Sequence, residues 1–330
     1  MLILYKIEKY LGLKYINIRN NMNITNPSSN NDLLKTGACS IIIGKTHYNG
    51  YIPEKINKLV KITKLLNSHN EFKNLEMVKT IENYADYYAI PDEKICTISS
   101  DNKFYKHLKK LTKTINMDIF CGNLHCFYID YAGDFDILDV INNWNIGIFN
   151  TGTKIFNSID SILDFSNHIM KGLNFLHQKN ICHLDIKSEN IMLNSSNKTF
   201  RIIDFGFSSV EPFNDFTNCI RGTPGYFPRH YDYYQIEPGL PKIEANDMEP
   251  IKGIIPMIAN RKLVYKIDSY CLGRVINFIY YNYKLNSIIF RKKNNNNKKA
   301  NLIKIIELLT DNNVLQRITI GEILLLDFLW

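Results

Sequence analysis

Between two apolar runs that read as strands, the chain places HLDIKSEN at residues 183–190 and then IIDFG at 202–206. The offsets are fixed: Lys187 stands two residues after Asp185, Asn190 three after Lys187, and Asp204 fourteen after Asn190. A single Asp in a loop constrains little, because Asp closes turns and caps helices in most folds. Four polar groups bracketed by apolar segments constrain far more, since burying them without partners is costly. The pattern implies that something polyanionic is held here, either for chemistry or for binding alone.

The hydrophobic period divides the chain. From about residue 32 to 130, CSIIIG, KLVKIT, KICTIS and CFYIDY read as strands. NEFKNLEMVKTIENY (70–84) carries Phe72, Leu75, Met77, Val78 and Ile81 at spacings near three and four, which predicts an amphipathic helix. After YAGDFD the pattern is helical. A helix is expected over 158–180, with Ser158 and Asp160 as start signals. YKIDSYCLGRVINFIYYN (265–282) is apolar nearly all round, as a buried helix would be, and two more helices are expected in ANLIKIIELLTD and TIGEILLLDFLW. The expected architecture is α+β: a small β-rich lobe with one helix over about 32–132, a larger mostly helical lobe over about 133–330, and YAGD as connector. Residues 1–31 form a polar, Asn-rich lead, and no internal repeat is visible.

With 330 residues, 45% apolar and 22% charged, the chain has the composition of a globular protein and not of a disordered one. Seven scattered cysteines lack a disulfide rhythm and point to reduced thiols in a cytoplasmic setting. Lys6, Glu8 and Lys9 interrupt the apolar N-terminus, and no run approaches a membrane span. The net charge of +8 comes partly from KFYKHLKKLTK (103–113) and RKKNNNNKK (291–299). Such runs read as solvated faces and not as a nucleic-acid site, although a positive surface also suits an anionic nucleotide. CGNLHC offers Cys121, His125 and Cys126, three ligands without a second cluster, which is short of a structural zinc site.

ICHLDIKSENIML, IIDFG, GTPGYF, KIDSYCLG and QRITIGEIL occur in the order and at the approximate spacing found in eukaryotic-type serine/threonine protein kinases. The resemblance covers roughly residues 32–330 and is specific in the C-terminal half. The Asn/Ile-rich composition and divergent N-terminal part look most like kinases of large DNA viruses. What the resemblance implies is a bilobal kinase fold that moves the γ-phosphate of ATP to Ser/Thr hydroxyls of a protein substrate, with Mg2+. Asp185 would accept the substrate hydroxyl's proton, and Lys187 would neutralise the γ-phosphate. Asn190 and Asp204 would supply oxygens to Mg2+, and Gly206 would let the chain turn sharply after Asp204. The connector around Asp130–Ala132 would hold adenine through its backbone. Lys61 would hold the α/β-phosphates, with Glu71 as its acidic partner, Glu76 as the other candidate and Lys58 in reserve. His183 and Phe205 resemble core residues behind the site, Asp268 the buried Asp that holds the catalytic loop, and Thr223 the bridge between Asp185 and Lys187.

The chain also departs from that pattern. KTGACSIIIG keeps a single glycine, Gly37, where G-x-G-x-x-G would cover the phosphates. Leu184 replaces the arginine that normally grips a phosphorylated activation loop. His230 falls where a glutamate would pair with Arg317. The stretch about 231–265, rich in Tyr, Pro and acids, reads as an insertion beside the substrate groove, either selecting substrates or merely tolerated. A rival reading is a pseudokinase, a nucleotide-binding or scaffolding module, and a third is a small-molecule kinase.

Overall fold

A computed structural model of the chain describes residues 34–36, 40–53, 58–64, 75–111, 122–146, 155–210, 219–223, 225–228, 254–256, 261–290 and 296–326. The N-terminal lead, Gly37, Glu71, Cys121, His230 and most of the expected insertion lie outside them.

The four expected strands and one that was not expected, the first, form one antiparallel sheet: β1 (Leu34–Thr36), β2 (Ser40–Ile43), β3 (Lys58–Lys64), β4 (Pro91–Ile98) and β5 (Leu124–Asp130). Its order is β1-β2-β3-β5-β4. Successive side chains on a strand face opposite sides. On β3, Val60 and Ile62 therefore enter a core with Ile41, Ile43, Leu124 and Cys126, while Lys61 turns to the other face. Helix α1 (Lys45–Tyr48) follows β2. Between β4 and β5, helix α3 (Lys103–Leu111) buries Phe104, Tyr105 and Leu108 and exposes Lys103, Lys106, Lys109 and Lys110. That basic run is a solvated face of an amphipathic helix.

The helix predicted over 70–84, of which 70–74 lie outside the described residues, ends earlier than its periodicity suggests. Residues 75–78 are helical, Thr80 donates its hydroxyl back to the Met77 carbonyl, and Asn83 adopts φ 55 before helix α2 (Tyr84–Tyr87). A left-handed Asn breaks a helix at small cost, because its side chain tolerates that conformation. Leu75, Val78, Ile81, Tyr88 and Ile90 pack into the larger core and not under the sheet. The Tyr88 hydroxyl donates to the Gly172 carbonyl, tying this segment to the helical part.

That larger core joins β6 (Phe135–Asp136), α4 (Ile137–Ile146), α5 (Ile159–Gln178), β7 (Ile181–Cys182), β8 (Ile191–Asn194), β9 (Thr199–Ile202), β10 (Ser209–Val210), α6 (Arg261–Phe290), α7 (Asn296–Leu309) and α8 (Ile320–Leu324). Short strands β11 (Cys219–Arg221) and β12 (Ile254–Pro256) pair with each other. Helix α5 begins as the sequence predicts: Ser158 Oγ accepts from Ser161 N at 3.1 Å, and Ser161 Oγ returns a bond to Ser158 N. Such a cap contributes about 1 kcal/mol. Thr319 and Glu322 form the same box at α8, yet that helix ends at Leu324, short of the expected 319–330. Among the described residues, no helix is long and apolar enough to cross a membrane.

Candidate active site

The site is organised from below by one buried carboxylate. Helix α6 places Asp268, fully buried, under the loop that follows β7. Its Oδ2 accepts from the His183 backbone N–H and from His177 Nε2–H, each at 2.9 Å, and Oδ1 accepts from Leu184 N–H at 2.8 Å. Those bonds hold Leu184 at φ 65, a left-handed conformation that costs a bulky residue about 1–3 kcal/mol. Burial alone would raise the Asp268 carboxyl's pKa, but His177 and His183 together leave it below its ordinary value. His177, Cys182 and Asp268 bring potential ligand atoms together, but both Asp268 oxygens are already engaged by donors.

His183 is also locked. Its Nε2–H donates to the Ile203 carbonyl at 3.1 Å, and its Nδ1 accepts from Asp185 N–H at 3.3 Å. Acceptance at Nδ1 requires the neutral ring, and burial lowers the His183 pKa in the same sense. His183 and Phe205 rings lie 4.9 Å apart, and Phe205 meets Tyr88 edge-on at 5.9 Å.

On this base sits a closed polar set. Thr223 Oγ1 donates to Asp185 Oδ1 at 2.5 Å and accepts from Lys187 Nζ at 3.0 Å. Lys187 Nζ is also 2.8 Å from Asp185 Oδ2, which in turn accepts from Asn190 Nδ2 at 2.9 Å. Burial would lower the Lys187 pKa, but Asp185, then Glu189 and Asp204, raise it beyond its ordinary value. Glu189 is shifted up, chiefly by burial. Asp185 and Lys187 are each other's counter-charge, the condition under which burial is tolerated, whereas Glu189 Oε2 is buried with no hydrogen-bond partner among the described residues.

The β8–β9 ladder sets the other half. Ile191 pairs with Ile202, and Ile203 N–H donates to the Asn190 carbonyl at 2.9 Å, so Asn190 and Asp204 emerge at the same end of the hairpin. Asp204 itself adopts φ 64, whereas Gly206 has no positive φ. The sharp turn expected of Gly206 is thus made by Asp204, a residue type that enters the left-handed region at small cost. From the sheet, Lys61 Nζ reaches Asp204 Oδ1 at 3.2 Å. Burial would raise the Asp204 pKa, but Lys61, Lys187 and His183 outweigh it and hold the carboxyl low. Asn190 uses its Nδ2 on Asp185, which leaves its amide oxygen, alongside the Asp204 carboxylate, as the hard-oxygen donor set that suits Mg2+.

The remaining expected residues divide. Lys58 pairs with Asp130 at 2.7 Å and Asp92 at 3.5 Å, so it takes no part at Asp204. Glu76 pairs with its neighbour Lys79 at 3.2 Å. Ala132 is buried in a small apolar cluster with Ala89 and Met192, against which Ile203 packs. Met192 and Ile203 were not anticipated, and their one sequence signal is adjacency to Asn190 and Asp204. Tyr88 carried no signal at all. Arg317 is buried, donating to the carbonyls of Asp311 at 2.8 Å and Lys266 at 3.3 Å, with its guanidinium 4.6 Å from the Tyr270 ring centroid.

Residues 125–230 match the protein kinase domain family. The serine/threonine-protein kinase nekl-2 of Caenorhabditis elegans is 36% identical over 66 residues, 20% of this chain and 18% of that protein. A probable serine/threonine-protein kinase of Dictyostelium discoideum is 30% identical over 96 residues, 29% of this chain and 12% of that one. The chain thus spans under a fifth of the length of these curated relatives. The solved structure of the Cydia pomonella granulovirus kinase PK-1 superposes with a TM-score of 0.55 at 16% identity, covering 90% of this chain and 92% of that one. The fold is the bilobal α+β fold of protein kinases, and the chain resembles divergent kinases of the eukaryotic type, viral ones among them.

Proposed function

We propose that the chain is a Mg-ATP-dependent serine/threonine protein kinase, with its kinase domain beginning near residue 32 and interrupted by an insertion over about 231–265. The observation that carries this reading is the convergence of Asp185, Lys187, Thr223, Asn190 and Asp204 on the helical side of the cleft with Lys61, which reaches Asp204 from the sheet. Phosphoryl transfer demands positioning and charge neutralisation more than covalent chemistry, and these residues supply both.

In this mechanism Asp185 Oδ2 or Oδ1 receives the proton of the incoming Ser or Thr hydroxyl. Thr223, Lys187 and Asn190 fix the orientation of its carboxylate beforehand. Lys187 is aligned to offset charge on the γ-phosphate, and Lys61 on the α/β-phosphates. Asn190 and Asp204 would hold Mg2+, whose charge neutralises the phosphate oxygens when it is bound. Gly37 would cover the phosphates, Asp130–Ala132 would meet adenine through the backbone, and Glu71 would brace Lys61. The composition and the granulovirus neighbour support a viral origin, with action in the host cytoplasm or the virion.

The test is transfer of labelled γ-phosphate from Mg-ATP to basic protein substrates, followed by phosphoamino-acid analysis. Phosphoserine and phosphothreonine are expected. Phosphotyrosine alone would overturn the substrate class, and nucleotide binding without transfer to any acceptor would favour a scaffolding module.

A further inference from the structure

We propose that β12 is a backbone clamp that holds the segment leading to Thr223 in its working register without phosphorylation, an inference that rests on the kinase reading above. β11 and β12 run antiparallel, with Cys219 opposite Pro256, Ile220 opposite Ile255 and Arg221 opposite Ile254. Only Gly222 separates this ladder from Thr223, the residue that donates to Asp185 at 2.5 Å. Gly222 has little room to absorb a shift, because a Cβ placed there would lie 2.0 Å from a Phe227 ring carbon. The chain must pass flat against that ring.

Downstream of Gly222 the segment is tied to the helical lobe. Tyr226 and Phe227 N–H groups donate to the Thr223 carbonyl, Tyr226 OH to Ser188 Oγ at 3.0 Å, and Arg274 Nε–H to the Gly225 carbonyl at 3.1 Å. Upstream, among the described residues, the tie is the ladder to β12. A slip of one residue along a strand moves the chain by about 3.3 Å. That displacement exceeds the length of the Thr223–Asp185 hydrogen bond and would break it. The register of β11 therefore determines whether the Asp185 carboxylate is oriented.

The lock is made of backbone and not of charge. Leu184 is fully buried and apolar, so position 184 offers no cation to grip a phosphate. A ladder of three residue pairs is marginal alone; in sequence, four residues separate the end of β12 at Pro256 from α6 at Arg261. The end of the expected insertion thereby acquires a positioning role: it holds the element that orients Asp185.

The test uses the full chain with Ile254→Pro and Ile255→Pro made separately. Adjacent N–H groups on a strand point to opposite edges, so one of the two removes a rung facing β11 and suffers the larger loss. Hydrogen exchange at amides 219–221, nucleotide binding and phosphoryl transfer are read together, before and after phosphatase treatment. The expected result is protected amides in wild type, and loss of that protection in the rung-removing variant. Transfer then falls about 10²-fold, the scale of a small misplacement of a reacting group, with nucleotide binding kept and no dependence on phosphatase. Unprotected amides in wild type, or full transfer after the rung is lost, would overturn the clamp. Protected amides in a wild type that transfers no phosphate would instead sink the kinase reading, and the clamp's working role with it.

Discussion

The two sides of the cleft are built to different densities. On the helical side, Asp268, His183, Asp185, Lys187, Asn190 and Thr223 are cross-bonded by distances of 2.5–3.3 Å, so each orients another. On the sheet side one described side chain, Lys61, reaches across to Asp204. The difference follows from chain economy. Asp185, Lys187 and Asn190 lie within five residues and bond one another directly, with Thr223 and Asp268 joining them from elsewhere in the same lobe, whereas Lys61 meets a residue 143 positions away, and its aim depends on the whole sheet holding its register. The helical side is accordingly cross-tied by its own bonds, and the aim of Lys61 depends on how the two cores sit together.

The largest stability effect should come from the helical side. Asp268→Ala leaves three donors without their acceptor at a fully buried site, and removing one partner of such a set costs about 3–5 kcal/mol. Thermal or urea unfolding should show that loss, while Lys61→Ala should leave the unfolding midpoint close to wild type. Equal effects of the two changes would erase the contrast between the sides.

For catalysis, Thr223→Val removes the hydroxyl between Asp185 and Lys187 and should lower kcat on the order of 10²-fold. Thr223→Ser keeps the hydroxyl and should restore most of it. Lys61→Ala should instead weaken nucleotide binding by about 1.5–3 kcal/mol, the range of a charge-assisted hydrogen bond. A titration with Mg-ATP reads this directly, and unchanged affinity would mean that Lys61 serves Asp204 alone.

Sequence and structure agree best where contacts are local. HLDIKSEN and IIDFG were legible because their spacing is converted into geometry by one hairpin, β8–β9, and one buried carboxylate. Ser158 was legible as a cap because its partner lies three residues on. The helix predicted over 70–84 was overdrawn, since apolar spacing cannot reveal that Asn83 turns left-handed or that Leu75 and Val78 belong to the other core. The resemblance of LVKI to the family's strand lysine favours Lys61 over Lys58, but Asp204 as its neighbour was not legible, because that contact is tertiary. The β11–β12 pairing was illegible for the same reason: a three-residue strand carries almost no periodic signal.

A smaller effect concerns pH. The His183 pKa is lowered in the fold, so the unfolded chain binds the extra proton first. Its contribution is fully present above about pH 6.5 and is lost as pH falls below that value toward the folded one. The depressed Asp268 carboxyl adds stability above its unfolded value of 3.8 and loses it at still lower pH. The midpoint of thermal unfolding should therefore fall between pH 7 and 5, and His183→Phe should flatten that slope. The smallest effect expected is from phosphatase treatment. With Leu184 buried at the position of a phosphate-gripping arginine, the dephosphorylated protein should keep its activity within about twofold. A required phosphosite in 207–222 would contradict this.

The most direct test of the account is γ-phosphate transfer from Mg-ATP by wild type and by Asp185→Asn, with nucleotide affinity and unfolding measured on the same preparations. The account predicts transfer by wild type, a loss on the order of 10²–10⁴-fold in the variant, and little change in nucleotide affinity. A wild type that binds nucleotide but transfers nothing, or a variant as active as wild type, would contradict it.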